Sequence, residues 1–308
     1  MTGFSSDRII RLRKFAIKKR RLGLLSIAIG GADEFSPGSF RKNFESKAGT
    51  AREDYVYQYV TKGLVPKPKL VPITVQDPKN PSISLTYEVM PDYFSIEGMP
   101  VQITPITAEK IGNYFGLHMP TKEITKQVYD KAKNKISGKP GINRLGADSS
   151  KLTQYNDEIL KARKENKNFD PNAITVGEYK ELELKHAGDN LHASGMLDSS
   201  GNVIQDFKGA TSHDPNYVDY SHAARFAGNF TVKDDLGNPI IVMFDELISN
   251  PKYKQYAQLI TGGKSYSGYK PKKDQKSQQL AQNKPVPTAT QDNELEKLLS
   301  SIEKELKG

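Results

Sequence analysis

The clearest alternation of apolar and polar residues lies in the segment 83–89. Its apolar members are Ile83, Leu85, Tyr87 and Val89, and one polar residue separates each from the next. A period of two is typical of a half-buried strand. Two further strands are predicted, at 70–75, where apolar residues surround a proline, and at 240–244, where five apolar residues follow one another.

Helical spacing of apolar residues appears in the middle of the chain and again after the last strand. Helices are predicted over 107–117 and 121–136, because each segment begins with a threonine suited to capping a helix N-terminus. A charged helix is expected over 154–167 and a closing helix over 245–260. The segment 32–61 shows no regular pattern and is expected to be irregular.

The helices over 107–117 and 121–136 are interpreted as a helical hairpin that packs on the sheet. A DNA-binding helix-turn-helix is the less favoured interpretation, because Ile124 and Val128 are displaced from the positions that packing on the first helix requires. The order of strands, helices and then strands favours an α+β fold over a parallel βαβ array. We predict a mixed or antiparallel sheet of short strands with a helical hairpin and a closing helix.

Composition divides the chain into four segments. A basic N-terminal arm covers 1–31, and the main α+β domain covers 32–262. Residues 263–291 are rich in Lys, Gln, Ser, Gly and Pro, which is typical of a flexible linker. In 292–308 apolar residues recur at helical spacing and predict an amphipathic C-terminal helix. They are Leu295, Leu298, Leu299, Ile302 and Leu306.

The arm carries most of the excess positive charge. The protein has 45 Lys and Arg against 36 Asp and Glu, a net charge of +9, and eight of the cations lie within 8–21. This segment is expected to contact a polyanion, either nucleic acid or an anionic envelope surface. The apolar stretch 22–32 is similar to a signal peptide, but it is short and contains three glycines. We therefore expect no transmembrane segment and favour a cytoplasmic or virion-associated location over secretion.

Composition also restricts the chemistry that the chain can perform. The absence of cysteine excludes disulfides, thiolate metal ligands and a cysteine nucleophile. No glycine-rich phosphate loop of the required spacing occurs, so we expect no nucleotide cofactor. Any metal ion would need ligands from His, Asp or Glu.

Four of the five histidines lie between positions 186 and 222, and turns rather than helices flank them. Loop clusters of His with Asp or Arg are where metal sites and acid–base sites are often built. One chemistry that fits is a divalent ion such as zinc with Asp219 beside it to orient a ligand or activate water. The predicted metal ligands are His186, Asp189, His213 and His222.

A second chemistry uses the same cluster without a metal. A histidine would act as general base for Ser221 or Ser212, with Asp219 orienting the histidine and Arg225 stabilising developing negative charge. The predicted catalytic residues are Asp219, Ser221 and Arg225. The spacing matches neither HExxH nor GxSxG, and a purely structural polar network that organises the loops is the remaining alternative.

The sequence Tyr-Val-Asp-Tyr-Ser-His over 217–222, followed by Arg225, resembles a YVDYSHGxR-like element of an uncharacterised group of bacterial and phage-associated proteins. The other matching features are His213, the pair His186 and Asp189, the stretch Met90–Phe94, and the helix starts near Pro105 and Met119. Ala223 stands where that group has glycine. The resemblance implies one domain over about 32–262 with a shared cluster, and it implies no mechanism because the group has no assigned activity.

Three classes of function follow from these patterns. The leading hypothesis is a hydrolase that acts on a cell-envelope polymer, in a phage-associated setting, with its site in 186–225. The second is a structural or virion-assembly protein that binds a partner, or another copy of itself, through the arm and the segment 292–308. The third is a nucleic-acid-binding protein that uses the basic segment 8–21.

Deletion of residues 1–21 tests the arm. We expect the intact protein to bind DNA or heparin with an affinity that falls steeply with salt, because cationic side chains release counterions from the polyanion. The deletion is expected to abolish this binding and to leave the main domain folded. Retention on a polyanion column measures the effect, and unchanged retention would show that another surface provides the electrostatic contact.

The double substitution Leu298→Asp and Ile302→Asp tests the C-terminal helix. An isolated helix of about 16 residues is marginal in water, so its apolar stripe needs a surface, which we expect on another chain. The double variant should have a lower oligomeric state or lose a co-purifying partner, as measured by light scattering and mass spectrometry. Thermal unfolding of the main domain should not change, and identical assembly in both proteins would argue against docking by this helix.

Overall fold

The structure is a computed structural model that describes residues 34–138, 148–185, 190–204 and 213–266. These residues all belong to one compact unit. The predicted arm and C-terminal helix, and most of the predicted linker, lie outside the described residues. Within the described part of the chain, no helix is long and apolar enough to cross a bilayer.

Seven α-helices and eleven strands occur in the described residues, and they confirm the predicted α+β fold. The helices are α1 Phe40–Glu45, α2 Gly49–Tyr59, α3 Pro105–Phe115, α4 Lys122–Lys131, α5 Ser149–Glu165, α6 Phe244–Ser249 and α7 Lys254–Thr261. The strands are β1 Val71–Gln76, β2 Ser84–Val89, β3 Ser95–Ile96, β4 Met99–Pro100, β5 Asn134–Lys135, β6 Thr175–Val176, β7 Lys180–Leu182, β8 Ala193–Ser194, β9 His222–Ala223, β10 Ala227–Lys233 and β11 Pro239–Val242.

The largest sheet has four antiparallel strands in the order β1-β2-β10-β11. The period of two in β2 is confirmed, since its alternate residues Leu85, Tyr87 and Val89 are buried. The turn between β10 and β11 is stabilised by Asp234, whose Oδ1 accepts hydrogen bonds from the backbone N–H groups of Leu236 at 2.9 Å and Asn238 at 2.8 Å. Hydrogen bonds from the backbone to one aspartate side chain therefore stabilise this turn, which is a common role of Asp in turns.

Several predicted element boundaries are wrong. The segment expected to be irregular contains α1 and α2, whose aromatic residues Phe40, Tyr55 and Tyr59 pack against one another. These helices are stabilised by tertiary packing. The sequence of α2 has no amphipathic pattern from which a helix could be predicted. The closing helix is broken into α6 and α7, because Pro251 cannot continue a helix without disturbing the turn before it.

The N-caps of α3 and α4 are threonines, although only the second is the predicted one. Thr121 accepts a hydrogen bond from the backbone N–H of Ile124 at 3.2 Å, as expected. The cap of α3 is Thr104 rather than Thr107, because Pro105 fills the first helical turn, where its missing N–H has no cost. The two helices enter different apolar clusters: α3 packs with α1 and α2, and α4 packs with α7 and the large sheet.

A smaller sheet with the order β8-β7-β9 determines where the histidine-rich segment lies. Strand β9 runs parallel to β7, with Lys180 opposite His222 and Glu181 opposite Ala223. On its other edge β7 pairs with β8 in antiparallel orientation. The two residues of β9 are thus held against a buried strand, and the loop that precedes them is fixed at its C-terminal end.

Candidate functional site

The loop that leads into β9 is organised by Asp219. Its Oδ1 accepts hydrogen bonds from the backbone N–H of Ser221 at 2.8 Å and from the Ser221 hydroxyl at 2.6 Å. Its backbone oxygen accepts the N–H of His222 at 3.2 Å. An Asp side chain that accepts hydrogen bonds from the residue two positions later is a common local turn, so the Asp-Tyr-Ser-His sequence is held by contacts within itself.

His222 is completely buried, and it lies next to the Asp219 carboxylate. Its Nε2 is 3.8 Å from Asp219 Oδ1, which is too long for a hydrogen bond. Both ring nitrogens lack a hydrogen-bond partner among the described residues. An imidazole in this position is exceptional, because buried polar atoms in proteins are nearly always paired.

The electrostatics keep His222 neutral and Asp219 ionised. Burial lowers the pKa of His222 to about 4, against the opposing effect of the Asp219 carboxylate. Burial alone would raise the pKa of Asp219, but the positive charge of Lys180 and the hydrogen bonds from Ser221 help to bring it below its usual value. At neutral pH the pair therefore consists of a carboxylate and a neutral imidazole, which has one ring nitrogen with a lone pair available to a ligand.

Tyr217 and His213 form the outer layer of the same cluster. Their rings are stacked, with centroids 3.9 Å apart, and the Tyr217 ring meets the His222 ring edge-on at 5.7 Å. The Tyr217 hydroxyl donates a hydrogen bond of 3.3 Å to Asp219 Oδ2. Both rings are half-buried, whereas Asp219 and His222 lie behind them. The structure thus brings His213, Asp219, Ser221 and His222 together around one tyrosine.

A cleft with a volume of about 280 Å³ opens beside this cluster. One of its walls is the turn 216–218, which contributes Tyr217. The facing wall comes from α2 and from the N-terminal half of α3, which are more than 100 positions earlier in the chain. Tyr217 is therefore the side chain that links the cleft to Asp219.

Arg225 does not belong to this cleft. Its guanidinium is fully buried and donates hydrogen bonds of 2.6 Å to the backbone oxygens of Met90 and Thr175. It also pairs with Glu181 at 2.9 Å and lies over the Tyr93 ring at 4.9 Å. All of these partners are parts of the protein, so the expected stabilisation of a substrate anion by Arg225 has no geometric support.

The arrangement of Ser221 also differs from that of an activated nucleophile. Its hydroxyl is buried and donates to the Asp219 carboxylate, and no hydrogen bond joins it to a histidine among the described residues. Activation by a histidine base would require such a bond. The other candidate, Ser212, lies outside the described residues.

Two of the four predicted metal ligands, His186 and Asp189, also lie outside the described residues. Within the described ranges, no group of three His, Asp or Glu side chains is arranged to hold a metal ion. The other two, His213 and His222, both contact the Tyr217 ring, His213 by stacking and His222 edge-on. The backbone N–H of Leu191 donates to the His213 carbonyl at 2.9 Å, which fixes the chain two positions after Asp189 beside the cluster.

Sequence reasoning missed the side chains of the facing wall. Tyr57 and Lys110 line the cleft from α2 and α3, and Lys110 Nζ lies 6.0 Å from the centre of the Tyr57 ring. Neither residue could be assigned to a site from its neighbours in the sequence, because each occupies an ordinary helix position that is at least partly exposed. Only the packing of α2 and α3 beside the turn 216–218 assigns them to the cleft.

Comparisons of this chain with protein-family models, with curated proteins and with solved structures found no match.

Replacement of Arg225 by Met tests whether this residue is structural. The change would leave Glu181 buried without its partner, and removal of one partner of a buried ion pair costs about 3–5 kcal/mol. We expect a loss of that size in the free energy of unfolding, measured with urea. The matched control is Arg41→Met, because Arg41 pairs with Asp157 where the side chains are 48% and 51% exposed, and it should cost less than about 1 kcal/mol. A variant R225M as stable as R41M would contradict this assignment.

Proposed function

We propose that this protein is a hydrolase that activates water at a divalent metal ion bound beside Asp219 and His222. The observation that carries the proposal is the His222 imidazole, which is buried, neutral and unpartnered at both nitrogens within the described residues. A buried polar group without a partner implies an ion, a water molecule or a catalytic role. The neutral imidazole is the form that binds metal ions.

The distance between the two groups supports a shared ion. Zinc ligands lie about 2.0–2.1 Å from the metal, so two of them in a tetrahedral site are about 3.3 Å apart. Asp219 Oδ1 and His222 Nε2 are 3.8 Å apart, and a shift of about half an ångström would suit both. The remaining ligands would come from His213 and from the sequence-predicted pair His186 and Asp189.

A bound divalent ion would lower the pKa of its water toward about 7 and so supply a hydroxide at neutral pH. Asp219 is suited to orient that water, because its carboxylate is held by Ser221 on one oxygen and by Tyr217 on the other. Tyr217 separates the cleft from this carboxylate and would meet the substrate first. Ser221 acts in this proposal by positioning Asp219.

A cell-envelope polymer is the substrate class that we propose. The resemblance of 217–225 to an element of phage-associated proteins supports it, and so does the net charge of +9, which favours approach to anionic envelope surfaces. The corresponding locations are the cytoplasm or a virion. We propose further that 8–21 contacts the polyanion and that 292–308 binds a protein partner or a second copy of the chain, which is also how a virion-assembly protein would use them.

Metal analysis combined with a hydrolysis assay tests the proposal. The intact protein should bind close to one zinc per chain and clear bacterial cell walls in a zymogram. His222→Gln should weaken metal binding and abolish clearing, because the glutamine cannot replace an imidazole ligand. Asp189→Asn tests the predicted ligand outside the described residues in the same way. Mass spectrometry under native conditions and atomic emission measure the metal.

The matched control is His118→Gln. His118 is a half-buried histidine whose Nε2 is buried and has no hydrogen-bond partner among the described residues, but its ring packs against Phe230 and Phe244, which belong to the apolar cluster of the large sheet. This variant should retain both the metal and the activity. A protein that clears cell walls equally well after treatment with a chelator, or that loses activity equally in both variants, would contradict the proposed site.

A further inference from the structure

The cleft beside Tyr217 is electrically balanced, although the whole chain is strongly basic. Four charged side chains line it: Arg52, Glu53, Asp54 and Lys110. Arg52 and Glu53 form an ion pair of 3.1 Å and are almost completely buried. Glu53 Oε2 also accepts hydrogen bonds from the backbone N–H of Thr104 at 2.9 Å and from its hydroxyl at 3.1 Å. These two charges are therefore engaged within the protein.

One acid and one base remain for a ligand, namely Asp54 and Lys110. Both are exposed at the cleft, and they come from the facing wall formed by α2 and α3. A site for a polyanion would gather cations without a compensating acid. The balance of charges in the cleft thus argues against a phosphate-rich or carboxylate-rich ligand at this point.

The apolar part of the cleft includes an aromatic ring from each wall, besides the aliphatic side chains of Ile106 and Val218. Tyr57 comes from α2, and Tyr217 comes from the opposite turn. Tyr217 cannot move freely, because its ring is stacked on His213 and its hydroxyl is bound to Asp219. The cleft is also lined by Thr50, Thr107 and Asn216, whose hydroxyl and amide groups can donate and accept hydrogen bonds.

This combination suits a sugar better than a peptide. A sugar ring offers C–H faces that pack on aromatic rings and hydroxyls that exchange hydrogen bonds with amides, hydroxyls and single charges. An extended peptide is usually bound by a free strand edge, whereas the residues that line this cleft belong to two helices and a turn. The volume of about 280 Å³ is at the lower limit for ligand sites and suits one or two units of a longer chain.

We propose that this cleft binds uncharged or N-acetylated sugar units of a glycan and presents them to Asp219. The inference rests on the proposed function in one respect, since it names the substrate of the same site. Tyr57 and Lys110 are then residues of the glycan-binding surface, and Tyr217 is shared between binding and chemistry.

Binding of the N-acetylglucosamine tetramer to the full chain tests the inference. We expect saturable binding by isothermal titration calorimetry. Tyr57→Ala and Lys110→Ala should each weaken it about tenfold or more, which corresponds to a loss of about 1.4 kcal/mol or more. Lys110 is exposed, so K110A provides a variant whose folding is not at risk. Circular dichroism verifies the fold of each protein.

The matched control is Tyr114→Ala, because Tyr114 is 46% exposed on α3 and does not line the cleft. It should bind the tetramer as tightly as the intact protein. Absence of tetramer binding, or equal affinity in Y57A, K110A and Y114A, would overturn the inference. Binding of polyphosphate that is lost in K110A, with no binding of the tetramer, would also overturn it and assign the cleft to an anion.

His222→Gln separates this inference from the proposed function. The variant should bind the tetramer normally, since His222 lies behind Tyr217 and does not line the cleft. A chain that binds the tetramer through Tyr57 but never hydrolyses cell walls would contradict the hydrolase and leave the glycan cleft standing. A chain that hydrolyses cell walls but binds the tetramer equally well without Tyr57 would contradict the cleft alone.

Discussion

The buried guanidinium of Arg225 is the interaction on which the rest of the structure depends. It joins the end of β2 at Met90, the strand β6 at Thr175 and the strand β7 at Glu181, three segments that are distant in the sequence. A desolvated arginine is costly unless its charge is paired and hydrogen-bonded, and both terminal nitrogens of Arg225 have such partners, so the three segments have to meet around its guanidinium. Arg225 follows β9 by two residues. The contacts that hold its guanidinium therefore also restrict the positions of His222 and of the turn before it.

A second buried arginine extends this principle. Arg163 of α5 binds Asp92 and Glu178 with both edges of its guanidinium, and so ties the long helix to the segments before β3 and β7. Burial raises the pKa of Glu178 to about 6 even beside Arg163, and that of Glu183 to about 7. Because these carboxylates are deeply buried, loss of any one of their hydrogen-bond or ion-pair partners is expected to destabilise the centre of the domain. The positions of the segments around β7 therefore depend on buried ion pairs as much as on apolar packing.

The cluster and the cleft are two layers of one arrangement. The inner layer, Asp219, Ser221 and His222, is held by local hydrogen bonds and by the pairing of β9 with β7. The outer layer consists of His213 and Tyr217, and Tyr217 also belongs to one wall of the cleft. In the proposed site, this layering would connect the entirely buried imidazole with the cleft, since Tyr217 lines the cleft and its hydroxyl is hydrogen-bonded to the Asp219 carboxylate.

The sequence by itself determined the elements whose cause is local. The alternation in β2, the Asp234 turn and the cap at Thr121 are visible in a few neighbouring residues, and so is the concentration of His, Asp and Tyr over 213–222.

The helices α1 and α2, the break at Pro251 and the position of Arg225 were not foreseen correctly. Arg225 looked like an anion-binding residue because a guanidinium next to a histidine cluster suggests one, and only the three-dimensional structure shows that backbone oxygens and Glu181 occupy it. The wall of the cleft formed by Tyr57 and Lys110 was likewise decided by tertiary packing alone. Short-range hydrogen bonds and periodic patterns depend on residues that are close in the sequence, so they can be predicted from it. The partner of a buried charge and the opposite wall of a cleft depend on the packing of segments far apart in the chain, so the sequence alone does not reveal them.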